Sequence, residues 1–196
     1  YVGFVAVYVT FNATLSGHTF RFWPEAIAFQ QTAVYFFSMA SAVAVALFAM
    51  EFLKSRRVMP RLHKLLTFYV LIGVLGMVAS FFIGTQASAK LNMAFTVGGA
   101  ILISLAALVR IGQRYRPAAF FLVGQGAVLL GVTFTVLTSA NVLPYYYLAP
   151  DVLKWAGAFE LLFFSIGLAD LINVLKAQQA KATAESDVAR AESRAR

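Results

Sequence analysis

LLTFYVLIGVLGMVASFFIGTQASA, Leu65–Ala89, runs for 25 residues without a charge. A bilayer core about 30 Å thick needs roughly 20 apolar residues per helix, and a helix satisfies its own backbone in lipid. Leu65–Ala89 is therefore long enough to cross. Three further charge-free stretches lie beside it, Ala26–Met50, Leu91–Val109 and Pro117–Pro150. Together they define an all-α membrane protein, a polytopic helical bundle, and direct the search for function to signalling, transport or membrane-embedded chemistry.

Composition agrees. The 196 residues are 61% hydrophobic and only 12% charged, whereas charged residues make up roughly a quarter of an average soluble protein. With no cysteine, the segment has no disulfide, thiolate nucleophile or cysteine-bound metal. The net charge of +8 is placed in short turns and in the tail, where membrane topology explains it, so nucleic acid is not expected as a partner. Tyr1 is not an initiator methionine, and Tyr1–Leu15 is apolar without the basic flank of a signal peptide. The chain is expected to be an excised or processed piece.

Breaks at charges, Pro and Gly predict six spans near 1–16, 26–53, 64–86, 91–113, 117–139 and 151–176. Domain organisation follows as a transmembrane bundle over 1–175 and a linker helix over 176–196. Thirteen of the 16 basic residues fall in the second turn, in the fourth turn or after the last span. Arg21, Lys90 and Lys154 lie on the opposite side. The positive-inside rule then puts both ends of the chain in the cytoplasm. The outer turns carry Trp23 and the run Tyr145, Tyr146 and Tyr147, read either as an aromatic belt at the headgroups or as a platform for outer-face sensing. Recurring small residues, among them Gly73, Gly76, Gly124 and Gly131, favour close helix approach.

After Leu175 the sequence turns to alanine and charge, KAQQAKATAESDVARAESRAR, with no Gly or Pro to stop a helix. The last span is expected to continue straight out of the membrane as a signal-output helix. Spacing by sevens puts Val174, Lys181 and Val188 at one seam position and Ala177 and Ala184 at the other. This is a thin coiled-coil stripe, consistent with a homodimer.

Glu160 is the acidic residue deepest within a span, and an ionisable group there costs about 2.5–3.5 kcal/mol on insertion scales. Its spacing from Gly157 and Gly167 turns the carboxyl toward another helix, where Gln125 or Gln30 is a candidate partner. Three roles stay open: an interhelical hydrogen bond, a protonation-linked switch formed by Glu160 and Gln125, or a proton pathway, for which one acid without other buried titratable groups makes a poor relay. His18 and His63 lie in turns, away from the mid-membrane position of axial haem ligands, and no lysine sits deep in the last span for a retinal Schiff base. The turns hold no phosphate loop, zinc ligand set or nucleophile–base pair. No catalytic residue, cofactor or metal is assigned, and membrane lipid is the expected surroundings.

Three passages, GHTFRFWPE, EFLKSRRVMPRLHKLL and GAFELLFFSIGLADLI, in that order and spacing, resemble the bacterial seven-transmembrane receptors with diverse intracellular signalling modules. Gly17, Trp23, Pro24, Phe52, Leu53, Pro60 and Glu160 carry the likeness. The resemblance implies seven spans, of which these six look like the second to seventh. It also implies an extracytoplasmic sensor domain and a cytoplasmic effector in the same polypeptide, in the bacterial inner membrane. The ending VARAESRAR looks like the entry to the dimerisation helices of hybrid sensor histidine kinases, favoured here over a diguanylate or adenylate cyclase. The expected function is a receptor core in a two-component system. The alternative is a small-molecule or proton-coupled transporter or channel using Gln30, Gln31, Thr32, Gln125 and Glu160, against which stands the lack of a convincing internal repeat.

Overall fold

The computed structural model describes residues 1–21, 27–139, 142–144 and 149–194. Among them the chain forms seven α-helices and no strand: α1 (Val2–Leu15), α2 (Ile27–Phe52), α3 (Ser55–Val58), α4 (Pro60–Ala79), α5 (Thr85–Gly112), α6 (Pro117–Ser139) and α7 (Ala149–Arg194). A single 3-10 turn, His18–Arg21, follows α1. Helices α2, α4, α5, α6 and α7 each contain a segment long and apolar enough to cross a membrane, and α1 is a shorter apolar helix.

Local chemistry sets the breaks. Gly17 lies just past α1 at φ 75°, the left-handed conformation that closes a helix with little cost to glycine. Proline occupies the first turn of both α4 and α6, where its missing N–H is not needed. Between α2 and α4 the chain reverses through Lys54 at φ 50° and the one-turn α3. There Ser55 Oγ donates to Met50 O at 3.1 Å and lies 3.0 Å from His63 Nδ1. His63 thus ties the short helix to α4.

Three boundaries differ from the sequence reading. Helix α4 starts at Pro60 and ends at Ala79, and α5 begins at Thr85, where spans of 64–86 and 91–113 were expected. The turn is built by apolar residues: Ser80 N donates to Gly76 O, Phe82 N to Ala79 O, and Gly84 precedes α5 with extended ψ. Phe82 is 83% exposed, so an apolar side chain faces outward at the reversal, which forms without a charge. Lys90 lies in the second turn of α5, exposed, where a long stem lets an ammonium reach the headgroups.

Packing is arranged for lipid. On α4 the buried residues are Leu66, Tyr69, Gly73 and Gly76, while Leu65, Phe68, Leu71, Ile72, Leu75 and Val78 are exposed. Most large apolar side chains of α4 point outward and Gly73 and Gly76 point inward, as expected where hydrocarbon surrounds the bundle and close approach drives association. Ala46 and Ala49 on α2, Ala106 and Ala107 on α5 and Ala118 on α6 are fully enclosed. A Cβ at Gly73 would overlap Val43 and Phe95, and one at Gly131 would come within 2.7 Å of Ala156 Cβ.

The helices close a ring. Helix α2 packs against α1, α4 and α5, α6 packs against α5 and, over the longest interface, α7. Helix α1 joins the ends of the ring, with Tyr1 Oη donating to Leu161 O at 3.0 Å, the Phe4 ring stacked on Phe48 and the Tyr1 ring tilted against it. It runs antiparallel to α2, from the level of Phe48 to that of Gln30, whose Oε1 accepts from Thr19 Oγ1 at 2.6 Å. Eighteen residues of α2 at about 1.5 Å each is about 27 Å, so α1 and its turn traverse nearly the full hydrocarbon depth.

Candidate functional site

Midway along the bundle the helices line a cavity of about 250 Å³. Its wall is mostly apolar, with Phe4, Phe11, Val45, Ile103 and Leu153 among the residues that form it. Set into that wall are Ser38, Asn92, Thr96, Tyr8, Tyr69, Gln125 and Glu160. Glu160 is 4% exposed and Gln125 is 3% exposed. No lysine, arginine or histidine lines the cavity among the described residues.

Glycines on α6 and α7 put the two polar residues there. Helices α6 and α7 touch at Gly124, where a Cβ would come within 3.2 Å of Glu160 O. The next residue of α6 is Gln125, and its Oε1 is buried without a hydrogen-bond partner. On α7 the Tyr8 hydroxyl rests on Gly157, one turn from Glu160, and a Cβ there would overlap the phenol. Gln125 and Glu160 therefore share one cavity. Gln30, the other expected partner, lies at the far end of α2 with Thr19 and does not line it.

The opposite wall is pinned by a residue the sequence reading missed. Asn92 Oδ1 accepts from Ser38 Oγ at 3.1 Å and from Thr96 Oγ1 at 3.3 Å, and its Nδ2 donates to Tyr35 O at 3.2 Å. One amide thus joins α5 to α2. Tyr69 stacks on Phe95 with centroids 4.1 Å apart, and its hydroxyl donates to Phe95 O at 3.3 Å. A lone asparagine within an apolar span was the available signal, since such side chains bridge helices in lipid.

Toward the end carrying the basic turns, the cavity gives way to a layer of phenylalanines. Phe121 and Phe164 stack at 4.5 Å, Phe48 lies 5.2 Å from Phe164, and Phe52 lies 5.6 Å from Phe121. This layer brings α2, α6 and α7 together, and Phe4 adds α1 at 5.9 Å from Phe164. One turn further along α7, Gly167 receives Phe52 and Phe120.

Below it a polar cluster surrounds the exit of α7. Arg110, buried near the end of α5, lies 4.2 Å above the Tyr115 ring and donates through Nη1 to Gln113 Oε1 at 2.7 Å. Tyr115 Oη donates to Phe52 O at 3.1 Å. Arg110 Nε and Asp170 Oδ2 are buried without hydrogen-bond partners. Burial raises the Tyr115 hydroxyl above its ordinary value of 10.0, Arg110 pulls it down and Asp170 adds to the rise. A raised value means the folded chain keeps this proton longer than the unfolded one, so the stabilisation is level below pH 10 and declines above it. Tyr115→Phe is expected to lose about 1 kcal/mol at neutral pH with the hydrogen bond. In alkaline unfolding, the wild-type advantage over Tyr115→Phe should shrink above pH 10. An advantage that grew with pH would contradict this placement.

Helix α7 connects all three layers. It runs unbroken for 46 residues, from the ion pair of Lys154 Nζ with Asp151 Oδ1 at 2.8 Å, past Glu160, Phe164 and Asp170, to Arg194. Residues 175–185 are exposed throughout. Val174 is half-buried, Ala177 and Ala184 are exposed, and the Val188 side chain lies outside the described residues. Trp23, Tyr145, Tyr146 and Tyr147 also lie outside them.

Residues 1–171 match a family described as 7TM diverse intracellular signalling. The chain belongs to this family. Membership places it among multi-pass transmembrane signalling proteins, and the match ends within α7, just past Asp170. No curated protein and no solved structure gives a match.

Proposed function

We propose that the chain is the membrane core of a receptor: an outside event changes the packing around the cavity, α7 moves, and the movement passes along its exposed extension to a cytoplasmic effector. The observation that carries this reading is the continuity of α7, which lines the cavity at Leu153 and Glu160 and extends as one helix beyond the bundle. Its mechanism is an element shared by two sites and biased by each.

In this reading the turns holding Lys54, Arg56, Arg57, Arg110, Arg114 and Arg116 face the cytoplasm of a bacterial inner membrane, as does the end of α7. A sensor domain outside and an effector inside belong to the same polypeptide, the effector being a sensor histidine kinase in preference to a cyclase. The residues after Leu175 pair with those of a second copy along the Val174–Val188 seam.

The test is made in the full-length receptor in native membranes. A short glycine run inserted between Leu175 and Lys176 is expected to reduce the stimulus-dependent change in effector output at least tenfold, whereas one inserted alanine-rich heptad, which keeps helix and seam, retains it. Retained control through the glycine run would show that the helix does not carry the signal.

A further inference from the structure

Several hydroxyl donors of the cavity wall are already spent on neighbouring acceptors. Ser38 and Thr96 give their hydroxyl protons to Asn92 Oδ1, and Tyr69 gives its own to Phe95 O. Gln125 Oε1, on a side chain 97% buried, has no partner at all. The Glu160 carboxyl faces the same space, and no basic side chain lines it among the described residues. A buried acceptor left unmade costs free energy, and an acidic group in hydrocarbon is ordinarily met by a cation or a donor. Beside the Ser41 and Tyr8 hydroxyls that also line it, the cavity leaves a place for a group that donates several hydrogen bonds and carries positive charge.

Size and wall chemistry narrow the occupant. An apolar cavity of about 150 Å³ holds benzene, and this one measures about 250 Å³, room for one ring and a short arm. Phe4, Phe11, Tyr8 and Tyr69 are among the rings lining it, the kind of wall that suits an aromatic body or an ammonium. We propose that the cavity binds a small aromatic primary amine, its ammonium hydrogen-bonded to Gln125 Oε1 and the Glu160 carboxyl and its ring held between the α1 aromatics and Tyr69. This goes beyond the receptor reading and does not depend on it, because binding is measured without an effector.

The probe is 2-phenylethylamine, dialysed to equilibrium against the chain in phosphatidylcholine nanodiscs, with empty nanodiscs as the partition control. Saturable binding at one molecule per chain is expected. Gln125→Leu and Glu160→Gln should each weaken it at least tenfold, and propylbenzene, which keeps the ring but lacks the donor, should not compete. Val128→Phe fills the cavity from α6 without touching a polar group. It should abolish binding while the chain stays monodisperse and melts no lower than wild type, so the outcome does not hang on whether the polar variants fold. Absence of saturable uptake above empty nanodiscs, competition by propylbenzene equal to that of the amine, or wild-type binding by Val128→Phe would each overturn the proposal.

Discussion

Gly157→Leu is expected to drive α1 off α7. The Tyr8 hydroxyl occupies the space a Cβ would take at 157, and Tyr8 is held there by a helix that also contributes Tyr1 and Phe4 to the α7 contact. Alanine already overpacks this point, for a loss of about 1–3 kcal/mol, and leucine should exceed that range because the displaced atoms belong to a rigid ring. Gly157→Ala combined with Tyr8→Ala removes the collision. The double variant should therefore be more stable than the sum of the single losses by more than about 1 kcal/mol in a double-mutant cycle. Thermal unfolding of purified protein in micelles reads both effects. Strict additivity would mean that Tyr8 does not sit on Gly157. A loosened α1 also opens the cavity wall on the Glu160 side, so the same variants should bias signalling in the intact receptor.

The second large effect is expected at Phe121, which is fully buried and stacked between Phe164 and Phe52. In a water-soluble core Phe→Ala costs about 3–5 kcal/mol, partly through lost transfer from water. Here the separated helices remain in hydrocarbon, so that part largely vanishes and the void remains. At about 24 cal/mol per Å³ over a void of about 100 Å³, Phe121→Ala should cost about 2 kcal/mol. Phe82, 83% exposed at the α4–α5 turn, should tolerate alanine within about 0.5 kcal/mol. Equal melting of the two variants would show that the phenylalanine layer is not the packing centre of the bundle.

What could be read from the residues divides along physical lines. Long charge-free stretches, Pro60, Pro117 and the alanine-rich run after Leu175 each act locally, and helices at those places follow from local chemistry. The turn at 80–84 left no such mark: Ser80, Phe81, Phe82 and Ile83 are apolar or small, and the reversal depends on Gly84 and on backbone bonds to Gly76 and Ala79. The joint placement of Gln125 and Glu160 was legible because glycine spacing on α7 shows which face a neighbour approaches. The rejection of Gln30 was not, since it depends on how far α2 is slid along α7. Asn92, Tyr69 and the Arg110–Tyr115–Asp170 cluster were passed over for the same reason. Each is ordinary along the chain and meets its partners only when helices distant in sequence are packed.

The 46-residue helix also sets a scale for what leaves the membrane. From Glu160 to Glu185 is 25 residues, about 37 Å at 1.5 Å per residue. Held at the phenylalanine layer and unsupported beyond Leu175, the helix is a lever arm with its fulcrum inside the bilayer. A tilt of about 5° at the cavity, no more than a side-chain adjustment, carries the far end through about 3 Å at that length. A rotation arrives at the same angle with which it began. In the proposed receptor, small rearrangements around Glu160 and Gln125 would be magnified as displacement and preserved as twist, and the two could be separated by distance measurements between spin labels at Leu175 and Glu185.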